Sequence, residues 1–159
     1  MRVAVGADHA GFELKESLKT KLVAAGHQVD DVGTHDTAST DYPDWAAKVA
    51  RAVARHDADR GLLVCGSGVG MAIAANRHRG VRAVATGDLF TVELARRHND
   101  ANVLALGARI VALPLAEELV DLFLATPFDG GRHQPRVEKL DRASIQASSP
   151  ETELDGDPA

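Results

Sequence analysis

Short apolar runs alternate along the chain with longer segments in which apolar residues recur every three or four positions. The short runs are typical of buried strands, and the longer segments are typical of helices with one apolar face. Strands are predicted over residues 2–6, 28–32, 61–65, 81–86 and 102–106. This alternation predicts an α/β protein with a three-layer, Rossmann-like fold, in which helices cover both faces of a five-stranded parallel sheet.

The helices between these strands differ in how their apolar residues are distributed. They are predicted over residues 12–25, 43–56, 70–76, 89–98, 113–126 and 135–147. In the first, an apolar stripe lies opposite charged residues that include Lys15, which is expected to face solvent. In the fourth, Phe90 is expected to point inward. Helix 113–126 is apolar around most of its circumference, which predicts a face that contacts a second subunit.

The last residues of the chain differ in composition from the rest. Residues 1–147 are predicted to form one domain, since 159 residues are enough for one core and too few for two ordinary domains. Residues 148–159 are mainly Ser, Pro, Asp, Glu and Gly, with almost nothing to bury. They are predicted to form a disordered C-terminal tail.

Charge and cysteine content exclude several classes of partner. The net charge of −5 argues against nucleic acid as a partner. No apolar stretch approaches the roughly 18 residues that a membrane span needs, and the N-terminus lacks the apolar region of a signal peptide. A single cysteine cannot form an internal disulfide, which favours a reducing compartment. We therefore expect a cytoplasmic protein with no nucleic-acid and no membrane partner.

A glycine-rich loop directly follows the third predicted strand. Cys65 ends that strand and precedes Gly66, Gly68 and Gly70, after which a helix is predicted. The loop lacks the full dinucleotide fingerprint and the lysine of a phosphate-binding P-loop, and Met71 stands where a cysteine phosphatase has arginine. Exposed backbone amides beside a helix N-terminus favour an anion and stabilise a thiolate. The alternative is a tight turn with an inert buried thiol.

Two further clusters carry charge, and each has a structural and a functional interpretation. In residues 96–100, Arg96 and Arg97 suit the C-terminus of a helix, while His98 is a candidate acid–base group. Arg132 and Arg136 are four residues apart, so they either share a helix face that holds a phosphate or are solvated surface. Neither a histidine pair with helical spacing nor a CxxC motif is present, so no metal is expected.

Taken together, these motifs resemble the ribose-5-phosphate isomerase type B family. The resemblance runs from residue 1 to about residue 145 and rests on Gly-Ala-Asp-His-Ala-Gly-Phe (6–12), Thr-Asp-Tyr-Pro (40–43), Cys-Gly-Ser-Gly-Val-Gly (65–70), Ala-Ala-Asn (74–76), Arg-Arg-His-Asn-Asp-Ala-Asn-Val-Leu (96–104), Gly-Ala-Arg (107–109) and Gly-Gly-Arg-His-Gln (130–134). It implies a homodimer, or a dimer of dimers, that interconverts ribose 5-phosphate and ribulose 5-phosphate through a cis-enediolate without metal or cofactor.

The resemblance also implies a role for each candidate site residue. Cys65 would be the base that moves a proton between C1 and C2, and His98 would open the furanose ring. The loop formed by Gly66, Ser67, Gly68, Val69 and Gly70 would hold the enediolate oxygen. The remaining substrate contacts would be Asp8, His9, Asn99, Arg109, Arg132 and Arg136. In the family the site is shared, with groups from the 98–99 and 132–136 regions reaching across the dimer.

Several alternatives remain open at this point. Some members of the family carry a glutamate base at the position of Met71, which cannot serve here, so the cysteine mechanism is the consistent one. Pro135 replaces a more usual polar residue and leaves the cooperation of the arginine pair open. Relatives use the same chemistry on tetrose, allose or galactose phosphates. The other candidates are a non-catalytic phosphate- or nucleotide-binding module and, less favoured because of Met71, a cysteine phosphatase.

Overall fold

The computed structural model of the chain describes residues 1–146, and the predicted tail at 148–159 lies outside this part. Five strands form one parallel sheet in the order β2-β1-β3-β5-β4. The strands are β1 (Arg2–Ala7), β2 (Gln28–Gly33), β3 (Arg60–Cys65), β4 (Ala83–Ala85) and β5 (Val103–Gly107). The α/β class, the five strands and their parallel arrangement are therefore confirmed.

Six helices alternate with the strands or follow them. They are α1 (Phe12–Ala24), α2 (Tyr42–Ala54), α3 (Val69–Ala75), α4 (Leu89–Asn99), α5 (Leu113–Ala125) and α6 (Gln134–Gln146), with a 3-10 turn at Gly131–His133 directly before α6. Pro135 lies in the first turn of α6, where the missing amide costs no helical hydrogen bond. Among residues 1–146, no helix is both long and apolar enough to cross a bilayer.

Strand β4 is shorter than the predicted 81–86. The side chain of Asn102 accepts a hydrogen bond from the Arg82 amide at 2.8 Å and donates one to the Gly80 carbonyl at 2.7 Å. These bonds to a side chain replace ladder hydrogen bonds at the start of the predicted strand. Regular pairing with β5 begins only at Ala83.

The core has two layers because successive side chains of a strand point to opposite faces of the sheet. One layer joins Val3, Val5, Val64 and Leu104 to residues of α1, α4 and α5, such as Leu18, Val92 and Leu119. The other layer joins Leu63, Cys65 and Ala105 to residues of α2 and α3, such as Val49 and Met71. Cys65 therefore lies on the α2–α3 side of the sheet.

The expected orientation is wrong for two side chains. Lys15 is fully buried, although helical periodicity predicted that it faces solvent. Its Nζ lies 2.7 Å from Asp31 Oδ1 and 2.8 Å from Glu16 Oε1, so two carboxylates compensate its charge. Phe90 is 65% exposed. Asp88 caps the start of α4 by accepting a hydrogen bond from the Thr91 amide at 2.7 Å. In the helix that begins there, Val92 points inward and Phe90 does not.

The two C-terminal helices differ sharply in exposure. The apolar residues of α5 pack against the core shared with α1 and α4, so the chain itself accounts for much of this apolar surface, and the predicted contact of α5 with a second subunit stays a prediction. In α6, over residues 134–142, Val137 is the one buried residue. Helix α6 thus presents most of its surface, including Arg136 and the apolar Leu140, outside the core.

Candidate active site

The candidate site lies where the strand order changes direction. The chain passes from β1 to β2 on one side and then places β3 on the other side of β1. In doubly wound sheets, ligands bind in the crevice outside the carboxyl ends of the strands at such a switch point. A cleft of about 350 Å³ is found there, lined by Asp8, Tyr42, Cys65, Gly66, Ser67, Gly70, Arg109 and Ile110.

Cys65 is the last residue of β3, is 5% exposed and lines the cleft. The backbone amide of Gly68 donates a hydrogen bond to its Sγ at 3.1 Å. This contact requires a left-handed turn at Gly68, where φ is +80° and a β-carbon would lie 3.0 Å from the Ala105 carbonyl oxygen. The glycine therefore permits both the turn and the close approach of the loop to β5.

Arg109 brings a permanent cation to the same loop. The end of β5 is tied to the end of β3, because the Ala108 amide donates to the Cys65 carbonyl at 2.8 Å and the Arg109 amide donates to the Gly66 carbonyl at 3.1 Å. The Arg109 guanidinium covers Gly66, where an added β-carbon would lie 3.4 Å from its Nη1. A positive charge beside a thiol and a row of amides favours an anion in this cleft.

The loop after β1 supplies the acidic side of the cleft. The carboxylate of Asp8 accepts hydrogen bonds from the amides of Ala10 at 2.9 Å and Gly11 at 3.0 Å, which fixes its orientation. Gly11 packs so closely on β3 that a β-carbon there would lie 2.4 Å from the Val64 carbonyl oxygen. His9 adjoins this loop, and its Nδ1 accepts from the Thr40 amide at 3.3 Å, which leaves Nε2 as the protonated nitrogen.

Tyr42 lines the cleft but was missed as a site residue. It opens α2, and its ring lies against Gly70, where an added β-carbon would come within 2.8 Å of ring carbons. In the sequence, Tyr42 is distinguished only by its place in the Thr-Asp-Tyr-Pro motif, one of the motifs of the family resemblance. Neither spacing nor periodicity connects residue 42 to residue 70, so only the packing of α2 on α3 shows that they meet.

The other predicted site residues do not line this cleft. Helix α4 starts after the carboxyl end of β4 and ends at Asn99, just before β5 begins at Val103. His98 and Asn99 therefore lie near the opposite edge of the sheet from Cys65, separated by the length of β5, roughly 15 Å. Arg132 and Arg136 are both exposed, the first in the 3-10 turn and the second in α6, so an α-helical path does not yet hold at Arg132.

His98 belongs to a second cluster at that opposite edge. Its imidazole stacks on that of His133, with ring centroids 4.2 Å apart and planes 6° from parallel. The loop after α5 is held to α4 because the Asp129 amide donates to the Arg97 carbonyl at 3.0 Å and Arg97 Nε lies 3.2 Å from the Asp129 carboxylate. Burial, together with the neighbouring charges of His98 and Arg132, lowers the pKa of His133 below its ordinary value.

Arg96 is a buried anchor rather than a charge at an exposed helix end. It is 1% exposed, and its Nη1 lies 2.8 Å from Asp100 Oδ1 while its Nε donates to the Thr126 carbonyl at 3.1 Å. It also donates to the Ala101 carbonyl. Arg96 therefore ties the end of α4 to the chain after α5, and so it fixes the base of the segment that carries His98.

Among the side chains that the structure describes, His98, Asp129 and His133 form one group whose potential ligand atoms lie within 4.8 Å of one another. The lone pairs of an imidazole nitrogen lie in the ring plane, so two stacked and nearly parallel rings do not direct them at one point. Arg97 also neutralises Asp129. This geometry does not favour a shared ion, and the expectation of no bound metal stays a prediction.

Comparison with known proteins places this geometry in a family. Residues 3–140 match the sequence profile of the family described as Ribose/Galactose Isomerase. The chain belongs to this family. Among curated relatives, ribose-5-phosphate isomerase B of Escherichia coli (strain K12) is 48% identical over 139 residues, which cover 87% of this chain and 93% of that protein.

Solved structures of the family share the fold closely. A ribose-5-phosphate isomerase B of Clostridium thermocellum has a TM-score of 0.92 and 44% identity, covering 93% of this chain and 100% of that one. A ribose-5-phosphate isomerase B of Mycoplasma genitalium, solved with bound ribulose-5-phosphate, has a TM-score of 0.87 and 39% identity, covering 93% and 97% of the two chains. The family membership and the fold therefore agree with the resemblance seen in the sequence.

Proposed function

We propose that this protein is an aldose–ketose isomerase that interconverts ribose 5-phosphate and ribulose 5-phosphate. The observation that carries the proposal is the Cys65 thiol, held by the Gly68 amide at 3.1 Å in a cleft that also presents Arg109. The family relationship supports the same reaction, since relatives that align over nearly their whole length include the ribose-5-phosphate isomerases B of Escherichia coli and Clostridium thermocellum.

In the proposed reaction, Cys65 as a thiolate removes the proton from C2 of the open-chain aldose. The electron pair of that C–H bond forms the C1–C2 double bond of a cis-enediolate, and the carbonyl π electrons pass to O1. The hydroxyl proton of O2 then passes to O1, and the thiol returns a proton to C1 as the C2 carbonyl forms. A single base suffices because it can reach C1 and C2 from the same face of the planar intermediate. The substrate as a whole is neither oxidised nor reduced.

The charge that develops on the enediolate needs donors that are already oriented. The amides from Gly66 to Gly70 and the hydroxyl of Ser67 border the thiol, and the first amides of a helix have no intrahelical acceptor. Arg109 adds its guanidinium at Gly66. Such fixed donors stabilise a transition state without reorganisation, so we assign the enediolate oxygens to this loop. Asp8 and His9 are assigned to sugar or phosphate contacts.

Met71 supports the assignment of Cys65 as the base. Its side chain is fully buried in the core between the sheet and helices α2 and α3. The Met71 side chain is not among those that line the cleft, and a thioether cannot take up a proton. Cys65, which does line the cleft, therefore remains the proposed base.

The remaining groups are assigned to a second copy of the chain. His98, Asn99, Arg132 and Arg136 lie away from the cleft of their own chain, whereas ring opening and phosphate binding require them near the substrate. Exposed apolar side chains occur on the segments that follow the carboxyl ends of β3, β4 and β5, and Ile110 also lines the cleft. They are Val69 and Ile73 in α3, Leu89 and Phe90 at the start of α4, and Ile110. A second copy laid over this patch in a two-fold homodimer completes both sites.

Sugar length is the main alternative within the same chemistry. The family profile covers ribose and galactose isomerases, and the cleft of about 350 Å³ is open enough for a tetrose, pentose or hexose phosphate. A non-catalytic phosphate-binding module would need the same loop but not a thiol at its base. We place the protein in the cytoplasm, because a thiolate base needs a cysteine that a reducing compartment keeps free.

The test is turnover of ribose 5-phosphate in deuterium oxide with a chelator present. We expect ribulose 5-phosphate to form in the wild type and its formation to be abolished in Cys65→Ala, because no other side chain in the cleft replaces the thiol. Full activity in Cys65→Ala would contradict the assignment of the base. Release of inorganic phosphate would indicate a phosphatase, and turnover of only allose or galactose phosphate would reassign the substrate.

The shared site is tested by mixing two inactive variants. Cys65→Ala and His98→Asn are co-expressed, each with a different purification tag, so that mixed dimers form. A mixed dimer contains one complete site, so random pairing restores about a quarter of wild-type activity. Activity that stays absent in purified mixed dimers would show that each chain builds its own site.

A further inference from the structure

We propose that His133 is a positioning residue that holds His98 for ring opening and joins it to the phosphate-binding Arg132. The inference rests on the proposed function, because it assigns work to His98 and Arg132 that only the isomerase reaction requires. In the sequence, His133 lies in the Gly-Gly-Arg-His-Gln motif, directly after Arg132.

The first observation is the stack itself. The rings of His98 and His133 are 4.2 Å apart and within 6° of parallel, and His133 is buried whereas His98 is partly exposed. A buried ring that covers one face of a partly exposed ring restricts the rotation of the outer one. His98 therefore presents its nitrogens in a fixed plane, with one face left for a substrate.

The second observation is the set of charges around His133. The groups that face its ring are His98, Arg132 and Arg136, with Asp129 as the opposing negative charge. Burial and the three positive or titratable neighbours lower the pKa of His133, which favours the neutral ring, and a neutral imidazole has one nitrogen that can accept a hydrogen bond.

The third observation links the stack to the phosphate side. Arg132 Nε donates to His133 Nε2 at 3.4 Å, a bond that only an unprotonated Nε2 can accept. Neutral His133 thus orients two side chains, because its Nε2 accepts a hydrogen bond from Arg132 and its ring face stacks on His98. A substrate phosphate bound by Arg132 is thereby placed at a set distance from the acid, which relates phosphate binding to ring opening.

Three substitutions at His133 separate these contacts. His133→Phe keeps an aromatic ring for the stack but loses the acceptor for Arg132. His133→Asn keeps an acceptor but loses the ring, and His133→Ala loses both. His56→Ala, at an exposed histidine that is not part of the cluster, is the matched control. Thermal melting of each variant confirms that it is folded before its kinetics are compared.

Two readouts distinguish positioning from structural support. The first is turnover of ribose 5-phosphate, most of which is a closed ring in solution. The second is exchange of the C1 hydrogen of ribulose 5-phosphate with deuterium oxide. Ribulose 5-phosphate cannot close a furanose ring because its O5 carries the phosphate, so this exchange needs Cys65 but not ring opening.

We expect His133→Ala to lower kcat for ribose 5-phosphate about 30-fold, while C1 exchange at saturating ribulose 5-phosphate stays within about threefold of the wild type. His133→Phe should keep most of kcat and raise KM. His133→Asn should lower kcat and leave KM close to that of the wild type. Equal losses of turnover and exchange in His133→Ala, or unchanged kinetics, would overturn the inference. A wild type that performs neither reaction would instead overturn the proposed function.

Discussion

The backbone amide of Gly68 donates a hydrogen bond to the sulfur of Cys65 at 3.1 Å, so a residue with no side chain orients the proposed base. The contact exists because β3 ends at Cys65 and the chain turns back through a left-handed conformation at Gly68 before α3 begins. Such a donor stabilises negative charge on the sulfur, and the same turn brings Gly70 to the lining of the cleft.

Replacement of Gly68 by alanine should therefore lower both activity and stability. We expect Gly68→Ala to destabilise the protein by about 2 kcal/mol, from the left-handed φ and the contact with the Ala105 carbonyl, and to lower kcat at least about tenfold. Urea denaturation and initial rates with ribose 5-phosphate measure the two effects. Gly26→Ala is the matched control. Gly26 also has a left-handed φ, +83°, but a β-carbon added there would have no heavy atom within 4 Å, so the variant should lose only about 1 kcal/mol of stability and no activity. Equal kcat in the two variants would contradict a role for the turn.

Arg96 and Arg97 are adjacent in sequence but differ in environment, which predicts opposite outcomes for the same substitution. Arg96→Met removes the partner of two buried carbonyls and of Asp100, so we expect a loss of about 3 kcal/mol in the free energy of unfolding. Arg97→Met breaks only exposed ion pairs, which solvent screens, and should cost far less than Arg96→Met. Chemical denaturation at neutral pH compares them. Similar losses in both variants would mean that Arg96 is not the anchor of α4.

This pair also shows where prediction from the sequence stops. Periodicity indicated α4 correctly, but it cannot tell which of two neighbouring arginines points inward, because that depends on carbonyls supplied by the loop after α5. Lys15 is the same case, since its partner Asp31 is on β2. Wherever a buried charge is paired across the fold, the helical pattern alone assigns it to solvent.

The candidate site was also predicted only in part from the sequence. The parallel arrangement of the strands follows from the alternation of strands and helices, and so does the meeting of Asp8, Cys65 and Arg109 at one edge of the sheet. Tyr42 was missed because its contact with Gly70 joins two helices. That His98 lies at the other edge follows from the direction of α4, which makes the sharing of the site between subunits a geometric requirement of the proposed mechanism.

The buried Lys15–Asp31 pair predicts how stability depends on acid. Burial opposes the charge of Asp31, but hydrogen bonds from Lys15, Lys19 and the Gly33 amide outweigh it, so the pKa of Asp31 falls below its ordinary 3.8. A carboxylate with a lowered pKa in the folded state contributes stability above pH 3.8, and this contribution is lost as the pH falls through the folded value.

Asp31→Asn should thus lose about 3 kcal/mol at pH 7, because Lys15 keeps only Glu16, and should show a weaker loss of stability below pH 4 than the wild type. Urea denaturation at pH 7 and at several values between pH 2 and pH 4 gives both quantities. Asp59→Asn removes the exposed pair with Arg2 and is expected to cost no more than about 1 kcal/mol. An Asp31→Asn protein as stable as Asp59→Asn at pH 7 would show that Lys15 tolerates burial without this carboxylate.

Ile110 provides a test of the proposed subunit contact, because it is 68% exposed and borders the cleft after β5. We expect Ile110→Asp to shift the protein from dimer to monomer, since an aspartate cannot be desolvated in an apolar contact without a partner. Activity per chain should fall with it, because the monomer lacks the partner's acid and arginines. Val23→Asp, at a site 58% exposed on α1, is the matched control and should leave both unchanged. Sedimentation velocity and rates measured over a range of protein concentrations test this, with partial recovery expected at high concentration. A monomeric Ile110→Asp protein with full turnover would require all catalytic groups to act within one chain, a result that the roughly 15 Å between Cys65 and the end of α4 argues against.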